Sequence, residues 1–167
     1  RAISRKTKLA IINSPANPTG AVFSKEDLEQ IKEICKENDI GIFYDEVYKT
    51  MIFDGLKHHT KPIYDPDITL ISGSISKTYS MSGWRIGYVA GSQKALEPLR
   101  SIHSTLAICP TTISEVAAIA AMKKNLEPYF EKTKKAYQER RDVVMKRAAE
   151  IPHITAYKPK GAMYVMI

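Results

Sequence analysis

Short apolar runs and turn-forming clusters alternate through the first half of the chain, and helical periodicity dominates the second. Lys8 to Ile12 reads as a buried strand that breaks off into the dense turn signal Asn13-Ser14-Pro15-Ala16-Asn17-Pro18-Thr19-Gly20. Ser24 then caps a helix, with Asp27 placed for a capping box. Leu28, Ile31, Ile34 and Cys35 recur on one face of that helix, and Asn38-Asp39 stops it. Ile40 to Tyr44, Ile68 to Ile71 and Ile86 to Ala90 read as three further strands. Ser92 caps a helix that Pro98 is expected to limit or kink. Thr112 with Glu115 forms a second capping box, opening an Ala-rich helix from Ile113 to about Lys124. Pro128 to Glu150 is one long amphipathic helix, ended by Pro152. Lys158-Pro159-Lys160-Gly161 is a turn, and Met163 to Ile167 begins another strand.

Strand, helix, strand and further strands of continuous apolar type define an α/β sheet with helices on both faces. Such sheets bind ligands beyond the carboxyl ends of their strands. A composition boundary falls near Ile151 to Gly161, where the long helix gives way to a new strand. The 167 residues are enough to bury a core, and 44% of them are hydrophobic, which excludes a disordered chain. No apolar run approaches the roughly 20 residues of a membrane span, and no apolar segment follows Arg1 to make a secretory signal. The chain does not start with Met, as expected of a piece of a longer protein.

Cys35 and Cys109 have no CxxC spacing and are read as reduced thiols of a cytoplasmic protein. The net charge of +7 suits an anionic small ligand or a nucleic acid. Its densest part, Lys132 to Arg147, is interleaved with Glu139 and Asp142 and reads as a solvated helix face. No nucleic-acid reader motif occurs, so neither a nucleic acid nor a membrane is expected as a partner.

A polar cluster follows each of the first three strands: Asn17 after the first, Asp45 and Tyr48 after the second, Ser74, Ser76 and Lys77 after the third. Parallel strands would bring all three to one edge of the sheet. Taken singly, each has a plainer reading. Asn17 to Gly20 could be a simple turn, Asp45-Glu46 a helix start, Lys77 a surface lysine and Arg85 a surface or salt-bridge arginine. The pair His58-His59 has no metal-ligand spacing and reads as an exposed loop. Trp84, Tyr79 and Met81 read as packing.

The combination resembles the class I and II aminotransferases of fold type I. Asn17-Pro18-Thr19-Gly20 matches the N-P-T-G pattern, and Asp45-Glu46-Val47-Tyr48 the D-E-V-Y pattern. Ser74-Ile75-Ser76-Lys77 through Gly83-Trp84-Arg85-Ile86-Gly87 matches the lysine signature. Gly161-Ala162-Met163-Tyr164 is similar to the G-x-F-Y start of the small domain, with Met163 in place of Phe.

The resemblance implies part of the large-domain sheet of an aspartate aminotransferase-like fold, four strands of a seven-stranded family sheet, plus the beginning of the small domain. Residues 1–125 would be the cofactor-binding part of the large domain, and residues 126–167 the long interdomain helix and the start of the small domain. The implied cofactor is pyridoxal 5′-phosphate. Lys77 would be the catalytic residue, forming a Schiff base with the cofactor and acting as general base at the substrate α-carbon. Asp45 would face the pyridine nitrogen. Asn17 and Tyr48 would donate to the ring phenolate, Ser74 and Arg85 would hold the phosphate, and Ser76 would line the site.

The implied substrates are an amino acid and a 2-oxo acid, of the aspartate/2-oxoglutarate type, in a homodimer. The upstream phosphate loop, the ring-stacking aromatic and the arginine for the substrate carboxylate have no counterpart in these residues. An inactive fragment of an active parent is therefore expected. The alternatives are another fold type I enzyme such as a carbon–sulfur lyase, an aminotransferase-like sensor in a transcription regulator, or a structural fragment that no longer binds cofactor.

Overall fold

A computed structural model describes residues 3–167. Four strands, β1 (Leu9–Asn13), β2 (Gly41–Asp45), β3 (Thr69–Ser74) and β4 (Gly87–Ala90), form one sheet in the order β1-β2-β3-β4. The first three run parallel and β4 runs antiparallel to β3. The β1–β2 ladder pairs Asn13 with Asp45, and the β2–β3 ladder pairs Asp45 with Ser72. The carboxyl ends of the three parallel strands therefore lie side by side, as the sequence pattern requires for its three clusters to meet.

The crossover helix α1 (Lys25–Glu37) begins with the expected capping box: Ser24 Oγ accepts from Asp27 N at 3.0 Å, and Ser24 N donates to Asp27 Oδ2 at 3.0 Å. Its buried face supplies Leu28 and Cys35 to a core completed by Ile40, Ile42, Tyr44 and Ile63. Ile42 and Tyr44 alternate with Phe43 along β2, so they share the sheet face that α1 covers. On the opposite face of β1, Leu9 and Ile11 remain 52% and 70% exposed.

β3 is longer than its apolar run. Ser72, Gly73 and Ser74 continue the strand because β4 pairs with all three and β2 with Ser72. Backbone ladders do not depend on side-chain polarity. After β3 come a single helical turn, α2 (Ile75–Thr78), and a 3₁₀ turn (Ser82–Trp84).

Pro98 neither limits α3 (Gln93–Leu106) nor ends it, although it removes one interior N–H donor. Ser92 caps this helix as expected, its side chain accepting from Ala95 N. α4 (Thr112–Met122) starts where expected but without the Thr112/Glu115 capping box. Thr111 is the cap, and its carbonyl accepts from Glu115 N at 3.1 Å. The long helix α5 covers Glu127–Ala149. Met163 to Ile167 is not a strand. Among the described residues Met166 makes only an isolated bridge with Tyr157, and a strand needs a continuous partner ladder. No helix of the described residues is long and apolar enough to cross a membrane.

α5 is tied to the segment following β2 by Arg141, which is 4% exposed. Its guanidinium donates to both carboxylate oxygens of Asp54 at 2.8 Å and to the Pro159 carbonyl at 3.1 Å, and it lies 4.9 Å over the Phe53 ring. Arg141 is buried and Asp54 is about two-fifths exposed, so the two partners should not be equivalent. Asp54→Ala removes the bidentate partner of a buried cation, leaving it Asp142 and the Pro159 carbonyl, and should cost about 2 kcal/mol, whereas after Arg141→Met the Asp54 carboxylate keeps water and Lys158 Nζ and the cost should be about 1 kcal/mol or less. Urea midpoints of the two variants check the order, and the reverse order would refute it.

Candidate active site

Asp45 sits at the carboxyl end of β2 with a partner on each neighbouring strand. Asn13 Nδ2, on β1, donates to Asp45 Oδ2 at 3.1 Å and to its carbonyl at 3.2 Å. Ser72 Oγ, on β3, donates to Asp45 Oδ1 at 3.2 Å, and Val47 N adds a bond to the same oxygen at 3.1 Å. The carboxylate is held in one orientation by groups that follow directly from the ladder register. Ser72, and the bond that Asn13 makes to Asp45, escape a reading of the motifs alone. The signal that finds them is the pairing of β1, β2 and β3, which the sequence leaves implicit.

Asn13 also orders the loop that carries Asn17, since its Oδ1 accepts from Asn17 N at 2.6 Å. Ser14 N donates to the Asp45 carbonyl at 3.0 Å, so the loop starts against the end of β2. The loop closes at Gly20, whose φ of +66° favours glycine. A Cβ at Gly20 would come within 2.2 Å of the Pro159 side chain and 2.8 Å of the Gly161 carbonyl. Gly20 O instead accepts from both Lys160 N and Gly161 N, at 2.9 and 3.0 Å.

Tyr48 is 4% exposed, and its hydroxyl meets that of Tyr164 at 2.6 Å. Burial raises the Tyr48 phenol well above its usual value, and the bond to Tyr164 pushes the same way. The Asn17 side chain at the Tyr48 hydroxyl works in the opposite direction. Lys77, on α2, is half-buried, with Nζ 5.9 Å from the centre of the Tyr48 ring. Among the described residues no hydrogen bond or ion pair engages that amine. Asn17, Asp45, Tyr48 and Lys77 thus surround one region at the carboxyl edge of the sheet.

The remaining expected residues lie at the start of α2 and just beyond it. Ser74 caps α2, accepting from Ser76 N at 3.0 Å, and donates from Oγ to the Ile86 carbonyl at 2.9 Å. The same carbonyl accepts from Ile75 N at 3.3 Å, which pins the residue following Arg85 against the helical turn. Arg85 is exposed and left-handed at φ +56°, an uncommon conformation for a residue with a side chain. Its Nη1 donates to Ser82 O at 2.9 Å, and no bond joins Arg85 to Lys77, Ser74 or Ser76. Trp84, expected to pack beside it, is 42% exposed, while Tyr79 does pack, edge-on against Phe130 at 5.4 Å.

Glu46, next to Asp45 in sequence, points away into a buried network instead of opening a helix. It accepts from Lys49 Nζ at 2.6 Å and Thr60 Oγ1 at 2.6 Å, and lies 2.9 Å from His58 Nε2. Burial alone would raise the Glu46 carboxyl, but the bonds from His58, Lys49 and Thr60 outweigh it and bring the group down to about 2. His58 is therefore not part of an exposed loop. It stacks on Tyr44 at 5.8 Å because the buried carboxylate needs donors.

Residues 1–167 match the aminotransferase class I and II family. Aspartate aminotransferase of Bacillus subtilis is 38% identical over 98% of the chain and 42% of its own length. Aromatic-amino-acid aminotransferase 2 of Thermococcus litoralis is 36% identical over 98% of the chain and 42% of its length. In the solved aspartate aminotransferase of Thermus thermophilus with maleate, 34% identity and a TM-score of 0.91 extend over 99% of the chain and 43% of that structure. The aromatic aminotransferase of Pyrococcus horikoshii gives a TM-score of 0.92 at 38% identity, over 98% of the chain and 44% of that structure. The chain belongs to the class I and II aminotransferase family. It spans about two-fifths of the length of these relatives.

The Glu46 network yields a pH prediction. Its carboxyl titrates at about 2 in the fold against an ordinary 4.5, so it adds stability above pH 4.5 that is lost as pH falls towards 2. Glu46→Gln leaves Lys49 and His58 without their anion and should cost about 3 kcal/mol at pH 7. The gap between wild type and variant should close as the pH falls through that interval. A gap of constant size in urea unfolding from neutral to acid pH would contradict the assignment.

Proposed function

We propose that the protein transfers an amino group between an amino acid and a 2-oxo acid with pyridoxal phosphate, and that the residues gathered around Lys77 form its cofactor cradle. The observation that carries this reading is the meeting of a carboxylate, a buried phenol and an unpaired amine at the carboxyl edge of a parallel sheet. The donor set fits the cofactor group by group: an amine for the aldehyde, a carboxylate for the ring nitrogen, a phenol and an amide for the phenolate. When bound, pyridoxal phosphate supplies an aldehyde that captures amines and a ring that withdraws electrons from the α-carbon.

Lys77 Nζ would hold the aldehyde, and its amine would serve as the base for the proton on the substrate α-carbon. Among the described residues no ion pair occupies that amine, which leaves it available to the aldehyde. Asp45, fixed by Asn13, Ser72 and Val47, would keep a proton on the pyridine nitrogen by its negative charge. Tyr48 and Asn17 would donate to the phenolate oxygen. Ser74 and Arg85 would hold the phosphate, with Arg85 turning from Ser82 towards the start of α2, and Ser76 would line the site.

Aspartate and 2-oxoglutarate are the proposed substrate pair, supported by the names of several relatives. Residues 1–125 would form the cofactor-binding part of the large domain, and 126–167 the interdomain helix and the start of the small domain. A cytoplasmic homodimer is the proposed working form, the free thiols Cys35 and Cys109 being suited to a reducing compartment. Residues 1–167 by themselves should turn over little or no substrate. Addition of pyridoxal phosphate to the whole protein should produce a Schiff-base absorbance band that survives dilution and is absent in Lys77→Ala. The same band in both proteins, or in neither, would sink the cradle. Amino transfer from aspartate to 2-oxoglutarate in the whole protein checks the substrate pair.

A further inference from the structure

We infer that Tyr164 is a positioning residue of this site: its hydroxyl donates to Tyr48 and so frees the Tyr48 proton for the phenolate oxygen of the cofactor. The inference rests on the cofactor reading above. The two rings meet edge to face, at 83° and 5.7 Å between centres, with the hydroxyls 2.6 Å apart. A phenol has one proton and can accept two bonds. The short contact uses only one of the two protons, and either oxygen can be its donor. If Tyr48 donates to Tyr164, no Tyr48 proton is left for a ligand. If Tyr164 donates, the Tyr48 oxygen is the acceptor of that bond, and its own proton can turn into the cradle.

An anionic oxygen in the cradle selects the second arrangement, because a hydrogen bond to a charged acceptor is stronger than one between two neutral hydroxyls. The Tyr164–Tyr48–phenolate chain then runs in one direction, and each bond polarises the next. Tyr164 thus stabilises the ionised form of the cofactor without touching it.

The segment bearing Tyr164 is fixed for this task. Phe53 N donates to Lys160 O at 2.9 Å, Ala162 N donates to Met51 O at 2.8 Å, and Gly161 N donates to Gly20 O at 3.0 Å. Ala162 is fully buried beside Tyr48 and Met51. The segment is thereby clamped to the loop carrying Asn17 on one side and to the turn carrying Tyr48 on the other. A purely packing role for Tyr164 would need the ring and not the hydroxyl, and the two roles separate experimentally.

The full protein and its Tyr164→Phe, Tyr48→Phe and double variants are loaded with pyridoxal phosphate, and the absorbance of the Lys77 adduct is titrated with pH. Tyr164→Phe keeps the ring and should raise the apparent pKa of the adduct by about 0.5–1 unit, the size of one neutral hydrogen bond. Tyr48→Phe should raise it further, and the double variant should match Tyr48→Phe alone, since Tyr164 acts only through Tyr48. An unchanged pKa in Tyr164→Phe, or equal and additive shifts in the two single variants, overturns the inference and leaves the cradle standing. Absence of any Lys77-dependent band in the wild type overturns the cradle and this inference together.

Discussion

In the parallel ladder, Asn13, Asp45 and Ser72 lie side by side at the carboxyl ends of β1, β2 and β3. A slip of one residue in β2 would turn Asp45 to the other face of the sheet and break its bonds to both neighbours. It would also bury Phe43 where Ile42 and Tyr44 now meet α1, so the hydrophobic core enforces the register that the site needs. The orientation of the Asp45 carboxylate is thus a consequence of apolar packing several residues away.

The second constraint is closure. The loop after β1, the turn after β2 and the Lys160–Ala162 segment bond to one another through Gly20, Met51 and Phe53. Glu46 anchors the turn from behind with three donors, and Arg141 anchors the following segment to α5. Asp45 and Tyr48 therefore project from a turn held on both sides. Such a support lets a site keep its geometry before a ligand arrives, which lowers the cost of binding.

Much of this was legible in the residues. The four strands, α1 with its capping box and α5 follow from apolar periodicity and turn chemistry, and the candidate residues near Lys77 follow from the family resemblance of the motifs. The misses have physical causes. β3 extends through Ser72 to Ser74 because ladders pair backbone and not side chains. α3 is not limited by Pro98, and among the described residues Met163 to Ile167 lacks a partner ladder. His58 is drawn inward by a buried carboxylate whose burial the sequence does not display.

The order of short-range signals determined the chemistry: which residues carry an amine, a carboxylate or a phenol, and that each follows a strand. The tertiary structure alone decided which groups touch. Tyr48 and Tyr164 are 116 residues apart, Asn13 and Asp45 are 32 apart, and Asp54 and Arg141 are 87 apart. No local periodicity encodes contacts at such separations. They arise when the core sets the register and the chain closes on itself, because only then are the entropic costs of those distant pairings already met.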